Sequence, residues 1–122
     1  MKALIALIIP MLIQVESGGE KYPDSCIGDN GNAVGCLQIW KIVVDDVNRI
    51  QKKEVFTYND RLTRPKSVRM AEIYLNHYGA RYKRLTGKEP TLEVLARMWN
   101  GGPDGYKKQS TVIYWEKVKA VQ

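Results

Sequence analysis

Histidine and cysteine are nearly missing from this chain: its 122 residues include one histidine, His77, and two cysteines, Cys26 and Cys36. So few ligands, with the cysteines ten positions apart, give no metal-ligand spacing and no disulfide framework, and no metal or other cofactor is expected. Long apolar runs are also scarce. The longest, Ala3 to Val15, has 13 residues and falls short of the roughly 18 to 20 needed to cross a bilayer, so no stable membrane insertion is expected. Acidic residues are the minority charge, 13 Asp and Glu against 19 Lys and Arg, and the formal charge of +6 favours a polyanionic partner: nucleic acid, an anionic membrane or an acidic cell wall. Repeats, linkers and low-complexity tracts are absent as well, so the length predicts one domain spanning residues 1-122.

What is present is a globular composition, 44% apolar and 26% charged. The opening apolar run has the length of a secretory h-region, but no small-residue cleavage pattern follows before Glu16-Ser17-Gly18-Gly19. The run therefore reads as a first helix buried inside the core, with Pro10 either kinking it or opening its last segment. From Tyr22 to Gly35 the density of Gly, Pro, Asp and Asn predicts a loop or small hairpin. Asp29-Asn30-Gly31-Asn32 is its tight turn, and the returning segment lies within Val34 to Trp40.

Four helices are expected after the hairpin. Val43, Val44, Val47 and Ile50 mark a short amphipathic helix over 42–50, and Lys52 to Pro65 reads as a surface connection. Val68, Ala71, Leu75, Tyr78, Tyr82 and Leu85 recur at helical steps along a helix from about Lys66 to Leu85, which Thr86-Gly87 stops. Thr91 is a plausible N-cap for a helix bearing Leu92, Leu95, Ala96 and Trp99, broken by Asn100-Gly101-Gly102-Pro103. Ser110 or Thr111 caps a last helix with Val112, Trp115 and Val118 facing inward. The fold class is thus α+β, predominantly α-helical, with a small glycine-rich hairpin between the first two helices.

Two carboxylates stand out. Glu16 closes an apolar helix, where hydrocarbon surroundings disfavour the charged form and let a glutamate act as a general acid; on position alone an exposed helix-end glutamate is the commoner outcome. Asp29 sits on a turn that could bring it opposite Glu16. Paired carboxyls in unlike environments cleave glycosidic bonds, although Asp-Asn-Gly also suits a turn for purely local reasons. Trp40, Tyr74, Tyr78, Trp99 and Tyr106 could stack on sugar faces, though core packing is the more frequent fate of such residues. Arg81, Lys83, Arg84 and Lys88 form a basic cluster that reads as a solvated face, and His77 as a surface or packing residue.

In order along the chain, Gln14-Val15-Glu16-Ser17-Gly18-Gly19, Gly35-Cys36-Leu37-Gln38-Ile39, the tyrosine-spaced helix with Tyr74 and Tyr78, Ala96-Arg97-Met98-Trp99-Asn100-Gly101-Gly102-Pro103-Asp104-Gly105 and Tyr114-Trp115-Glu116-Lys117-Val118 resemble the invertebrate-type (destabilase) lysozymes. That family lies within the lysozyme-like superfamily, with the lytic transglycosylases and goose-type enzymes. The resemblance implies a lysozyme-like fold and cleavage of the β-1,4 bond between N-acetylmuramic acid and N-acetylglucosamine, with Glu16 as general acid and Asp29 as second carboxylate. Gln38, Tyr74, Trp99, Asn100 and Gly102 become candidate substrate-binding residues. The implied partner is peptidoglycan rather than nucleic acid, the implied state a monomer acting at the bacterial cell wall. Two alternatives remain open: a lytic transglycosylase using Glu16 alone, and an inactive glycan-binding module of the same fold. The chain departs from its relatives in having at most one disulfide, Cys26–Cys36, which would pin the hairpin, and in placing Trp99 where a histidine is frequent before Asn-Gly-Gly.

Overall fold

A computed structural model describes residues 1–121. Its elements are α1 (Lys2–Ser17), a two-stranded hairpin of β1 (Ile27–Gly28) and β2 (Ala33–Val34), α2 (Lys41–Gln51), α3 (Arg64–Thr86), α4 (Leu92–Gly101) and α5 (Val112–Lys119), linked by short 3-10 turns. Among the described residues no helix is long and apolar enough to cross a membrane. The chain clusters into two compact units, one of Met1–Val15 with the segment from Leu75 onward and one of Glu16–Tyr74.

In the first unit α1 buries one stripe rather than its whole circumference. Ile5, Ile8, Ile9 and Leu12 are buried at steps of three and four, whereas Leu7 is 60% exposed and Ala3, Ala6 and Pro10 face outward. The expectation of a helix buried all round is corrected accordingly. Pro10 lies inside the continuous helix on its open face, where a missing N–H is least costly. α4 starts as its sequence predicts: the Thr91 hydroxyl accepts from the Val94 N–H at 3.2 Å, satisfying one orphan donor of the first turn. Its inner face carries Leu95, Ala96 and Met98. In α5 the buried residues are Tyr114 and Val118, while Val112 and Trp115 are half-buried. Leu85, expected on the inner stripe of α3, is 61% exposed because it falls in the last turn, beyond the buried Tyr78 and Gly79.

In the second unit, β1 and β2 pair antiparallel with Ile27 opposite Val34 and Gly28 opposite Ala33, which leaves Asp29 to Asn32 as the turn. The returning strand is shorter and earlier than the sequence suggested. After Val34 the chain folds back again, and Val34 and Ile39 exchange backbone hydrogen bonds at 3.1 and 3.0 Å. Cys26 and Cys36 are free thiols, so the candidate bridge is not formed. The Cys26 carbonyl accepts from the Gly35 N–H at 2.8 Å, so Cys26 opposes Gly35; a one-residue offset turns the Cys36 side chain toward the other face, where it is fully buried. Burial pushes both thiols above their ordinary pKa.

The connection after α2 is more ordered than its lack of periodicity implied. Tyr58–Leu62 forms a 3-10 turn started by a capping box: the Asp60 carboxylate accepts from the Thr57 N–H at 2.8 Å while the Thr57 side chain accepts from the Asp60 backbone. Asn48 in α2 receives the Val55 and Phe56 N–H groups on its carbonyl oxygen at 3.1 and 3.0 Å and donates to the Phe56 carbonyl at 2.9 Å.

Candidate active site

Glu16 stands half-buried in the last turn of α1, one residue before its end. Its neighbour Ser17 is buried, and the Ser17 hydroxyl donates to the Cys36 carbonyl at 2.8 Å. That bond fastens the end of α1 to the segment that follows the hairpin. Glu16 and the hairpin therefore belong to one framework.

Asp29 opens the hairpin turn and is exposed. It adopts φ 49, followed by Asn30 at 57 and Gly31 at 91, a left-handed run that Asp, Asn and Gly tolerate better than other residues. The local chemistry of Asp-Asn-Gly accounts for the turn, and the turn in turn sets where the Asp29 carboxylate sits.

Gln38 is half-buried and its backbone is also left-handed, with φ 51. Its Nε2 donates to the carbonyls of Cys26 at 3.2 Å and Gly35 at 3.0 Å, one on each arm of the hairpin. Its Oε1 fills the space that a Cβ on Gly28 would need. Gln38 thus clamps the hairpin that presents Asp29, and this anchoring requirement offsets the strain of its φ. Gly35 is fixed more tightly still: at φ +86, a Cβ there would overlap the Arg61 carbonyl.

Arg61 is the residue that sequence reasoning missed in this unit. It is 6% exposed, and its guanidinium donates to the carbonyls of Tyr58 at 2.8 Å and Ile39 at 3.0 Å. The Ser67 hydroxyl donates to the Arg61 carbonyl at 2.9 Å. Desolvation lowers the guanidinium pKa, yet the carbonyls around it satisfy a buried cation without a carboxylate. The signal that could have located this turn is Thr57-x-x-Asp60, the spacing of a capping box. Tyr74 closes the unit and is 5% exposed, so in this structure it packs instead of presenting an open stacking face.

Trp99, Asn100 and Gly102 belong to the other unit. Trp99 is half-buried and Asn100 exposed at the end of α4. Gly102 ends the helix with φ 88 and ψ −175, a region open essentially to glycine, and its N–H donates to the Met98 carbonyl at 2.9 Å. The loop that follows is laced by Arg97, whose guanidinium donates to the Thr111 hydroxyl at 2.8 Å, Glu93 at 2.8 Å and the Lys108 carbonyl at 2.9 Å. The buried Thr111 oxygen lies 2.7 Å from the Gly105 carbonyl, so this threonine braces the loop and does not cap α5 as its sequence position suggested. Lys108 Nζ donates to the Gly101 carbonyl at 2.7 Å, placing a cation at the electronegative C-terminus of α4.

Among the described residues, no group of three or more His, Cys, Asp or Glu side chains is placed to hold a metal ion. Glu16 and Asp29 thus stand in a unit braced by Ser17, Gln38 and Arg61.

Comparison with known proteins adds to this geometry. One relative is Lysozyme 1 of Crassostrea virginica, 44% identical over 43 residues, which cover 35% of this chain and 23% of that protein. A second is the lysozyme of Meretrix lusoria, 37% identical over 51 residues, or 42% of each chain. Part of this chain is thus similar to two bivalve proteins named lysozyme. The aligned stretches span less than half the length of either bivalve protein. No family model matches. A chain of the crystal structure of Aeromonas hydrophila PliI in complex with Meretrix lusoria lysozyme superposes with a TM-score of 0.72 at 22% identity, covering 94% of this chain and 88% of that one. The fold is accordingly α+β and lysozyme-like, with a two-stranded sheet among helices.

Proposed function

We propose that the whole chain acts as one catalytic domain, a muramidase that hydrolyses the β-1,4 bond between N-acetylmuramic acid and N-acetylglucosamine in peptidoglycan, working as a monomer at the bacterial cell wall. The observation that carries this reading is the sequence likeness to two proteins named lysozyme. The half-buried Glu16, anchored beside the hairpin through Ser17, supplies the residue on which the chemistry turns.

In this mechanism Glu16 protonates the departing glycosidic oxygen as the C–O bond breaks. Asp29 stabilises the positive anomeric carbon or attacks it, and Glu16 then removes a proton from the incoming water, so acid and base roles alternate on one side chain. Gln38 holds the hairpin and with it the Asp29 carboxylate. Trp99, Asn100 and Gly102 contribute to saccharide binding. Glu16→Gln keeps the side-chain shape and removes the transferable proton: lysis of bacterial cells, followed by turbidity, drops to background while the thermal midpoint stays within a few degrees. Undiminished lysis by this variant sinks the assignment.

The exposure of Asp29 favours one second reading, a lytic transglycosylase in which Glu16 acts alone and the muramic acid hydroxyl closes a 1,6-anhydro ring. Mass spectrometry of digested wall separates the two, because hydrolysis leaves reducing ends and the alternative leaves anhydro ends.

A further inference from the structure

The positive charge of this protein is confined to one unit. Between Glu16 and Tyr74 nine Lys and Arg balance nine Asp and Glu, whereas the remainder of the chain has ten Lys and Arg against four Asp and Glu. The whole +6 therefore resides in the unit of Met1–Val15 and the segment from Leu75 onward. All four acids of that unit are already paired: Asp104 with Arg81, Glu89 with Lys83, Glu93 with Arg97 and Glu116 with Lys119.

Three of the cations left over gather around one place. Arg81 and Arg84 stand three residues apart on the last turns of α3, and Lys88 follows just past the helix end, beyond the left-handed Gly87. The loop after α4 is joined to these turns by the Arg81–Asp104 pair at 3.1 Å and by Tyr82 and Tyr106, whose rings meet edge to face with centroids 4.9 Å apart. Lys107 Nζ lies 5.6 Å from the Tyr106 ring centre. Arg84, Lys88 and Lys107 are thus exposed cations, without an ion pair among the described residues, flanking a fixed tyrosine pair.

We propose that this face, built from the end of α3 and the 103–108 loop, is a docking surface for a linear polyphosphodiester of the cell wall, distinct from the glycan that is cut. The inference rests on the functional reading above for its cellular setting and on the charge distribution for its chemistry. Several exposed cations without carboxylate partners match phosphates repeated along a flexible chain, and arginine adds bidentate contact to phosphate oxygens. A nucleic acid fits less well. Tyr82 and Tyr106 are half-buried and held edge to face against each other, which restricts the ring surface left for a stacking base.

The test compares two triple variants with the same loss of net charge. One is Arg84→Gln with Lys88→Gln and Lys107→Gln; the other, in the neutral unit, is Lys21→Gln with Lys52→Gln and Lys53→Gln. Each is co-sedimented, over a series of salt concentrations, with purified walls that retain their phosphodiester polymer and with walls from which it has been stripped by acid. The first variant is expected to lose at least tenfold in affinity for intact walls and to have a salt slope shallower by about two to three, while the second stays within twofold of the parent. Lysis of stripped walls by the first variant stays at the parent rate. Equal losses by both variants mean that net charge alone acts and overturn the proposal, as does binding of a DNA single strand of matched charge as tightly as poly(glycerol phosphate). Absence of lysis by the parent protein fails the muramidase reading and leaves the sedimentation result to be judged separately.

Discussion

At the scale of single residues, the candidate site is held by contacts that the sequence pattern names only in part. Gly35 has the sharpest requirement, since its φ of +86 and its approach to the Arg61 carbonyl leave no room for a methyl group. Gly35→Ala should destabilise the protein by about 2 kcal/mol or more, read as a lower urea midpoint with unchanged m-value. Gln38 differs in kind. Its amide protons bridge the two arms of the hairpin, and Gln38→Glu removes the donor and sets a carboxylate against two carbonyls. Such a change costs about 1 to 3 kcal/mol and displaces Asp29, so lysis should fall together with stability. A variant with weakened lysis and an intact midpoint would assign Gln38 to substrate contact alone.

Between residue and molecule lie the elements. The turn Tyr58–Leu62 matters most here because Arg61, which it carries, reaches the carbonyl of Ile39 beside the hairpin. The turn is secured by Asp60: chiefly the Thr57 N–H, and then Lys66, hold its carboxyl below the ordinary carboxylate range. A depressed folded pKa means that the stabilisation is complete above the unfolded value near 3.9 and fades as pH falls through the lower folded value. At pH 7 Asp60→Asn should lose about 1 kcal/mol, and the gap between parent and variant should narrow as acid protonates Asp60, measured by urea unfolding across pH. A gap that persists at low pH assigns the loss to geometry instead of charge. In α3 the sequence marks a helix and the structure divides its labour, with Met70, Tyr74 and Tyr78 buried and the last turn, 83–86, exposed.

For the molecule as a whole, charge is the property that composition reports and topology distributes. The proposed catalytic carboxylates reside in a neutral unit, and the cations that attract an anionic wall reside in the other. Electrostatic recruitment is screened over about 8 Å at physiological ionic strength, so lysis of whole cells should decline steadily as salt is raised from 0.05 to 0.3 M. Cleavage of a short uncharged chitin-type oligosaccharide should change much less over the same range. A salt response of equal size for both substrates places the effect on folding or catalysis and not on attraction.

Residue order alone determined the helices, because apolar spacing at three and four positions is local and needs no partner to be read. It also marked the hairpin turn, since Asp29-Asn30-Gly31 carries its own backbone preference, and the candidate acid Glu16, through motifs that are contiguous. Tertiary structure decided what depends on distant groups meeting. It left Cys26 opposite Gly35 instead of Cys36, buried Arg61 among carbonyls drawn from two segments, and turned Gln38 and Thr111 into braces for the loops that precede them. Burial of a polar side chain is tolerated only where partners converge, and that convergence is set by the packed chain and not by neighbours in sequence.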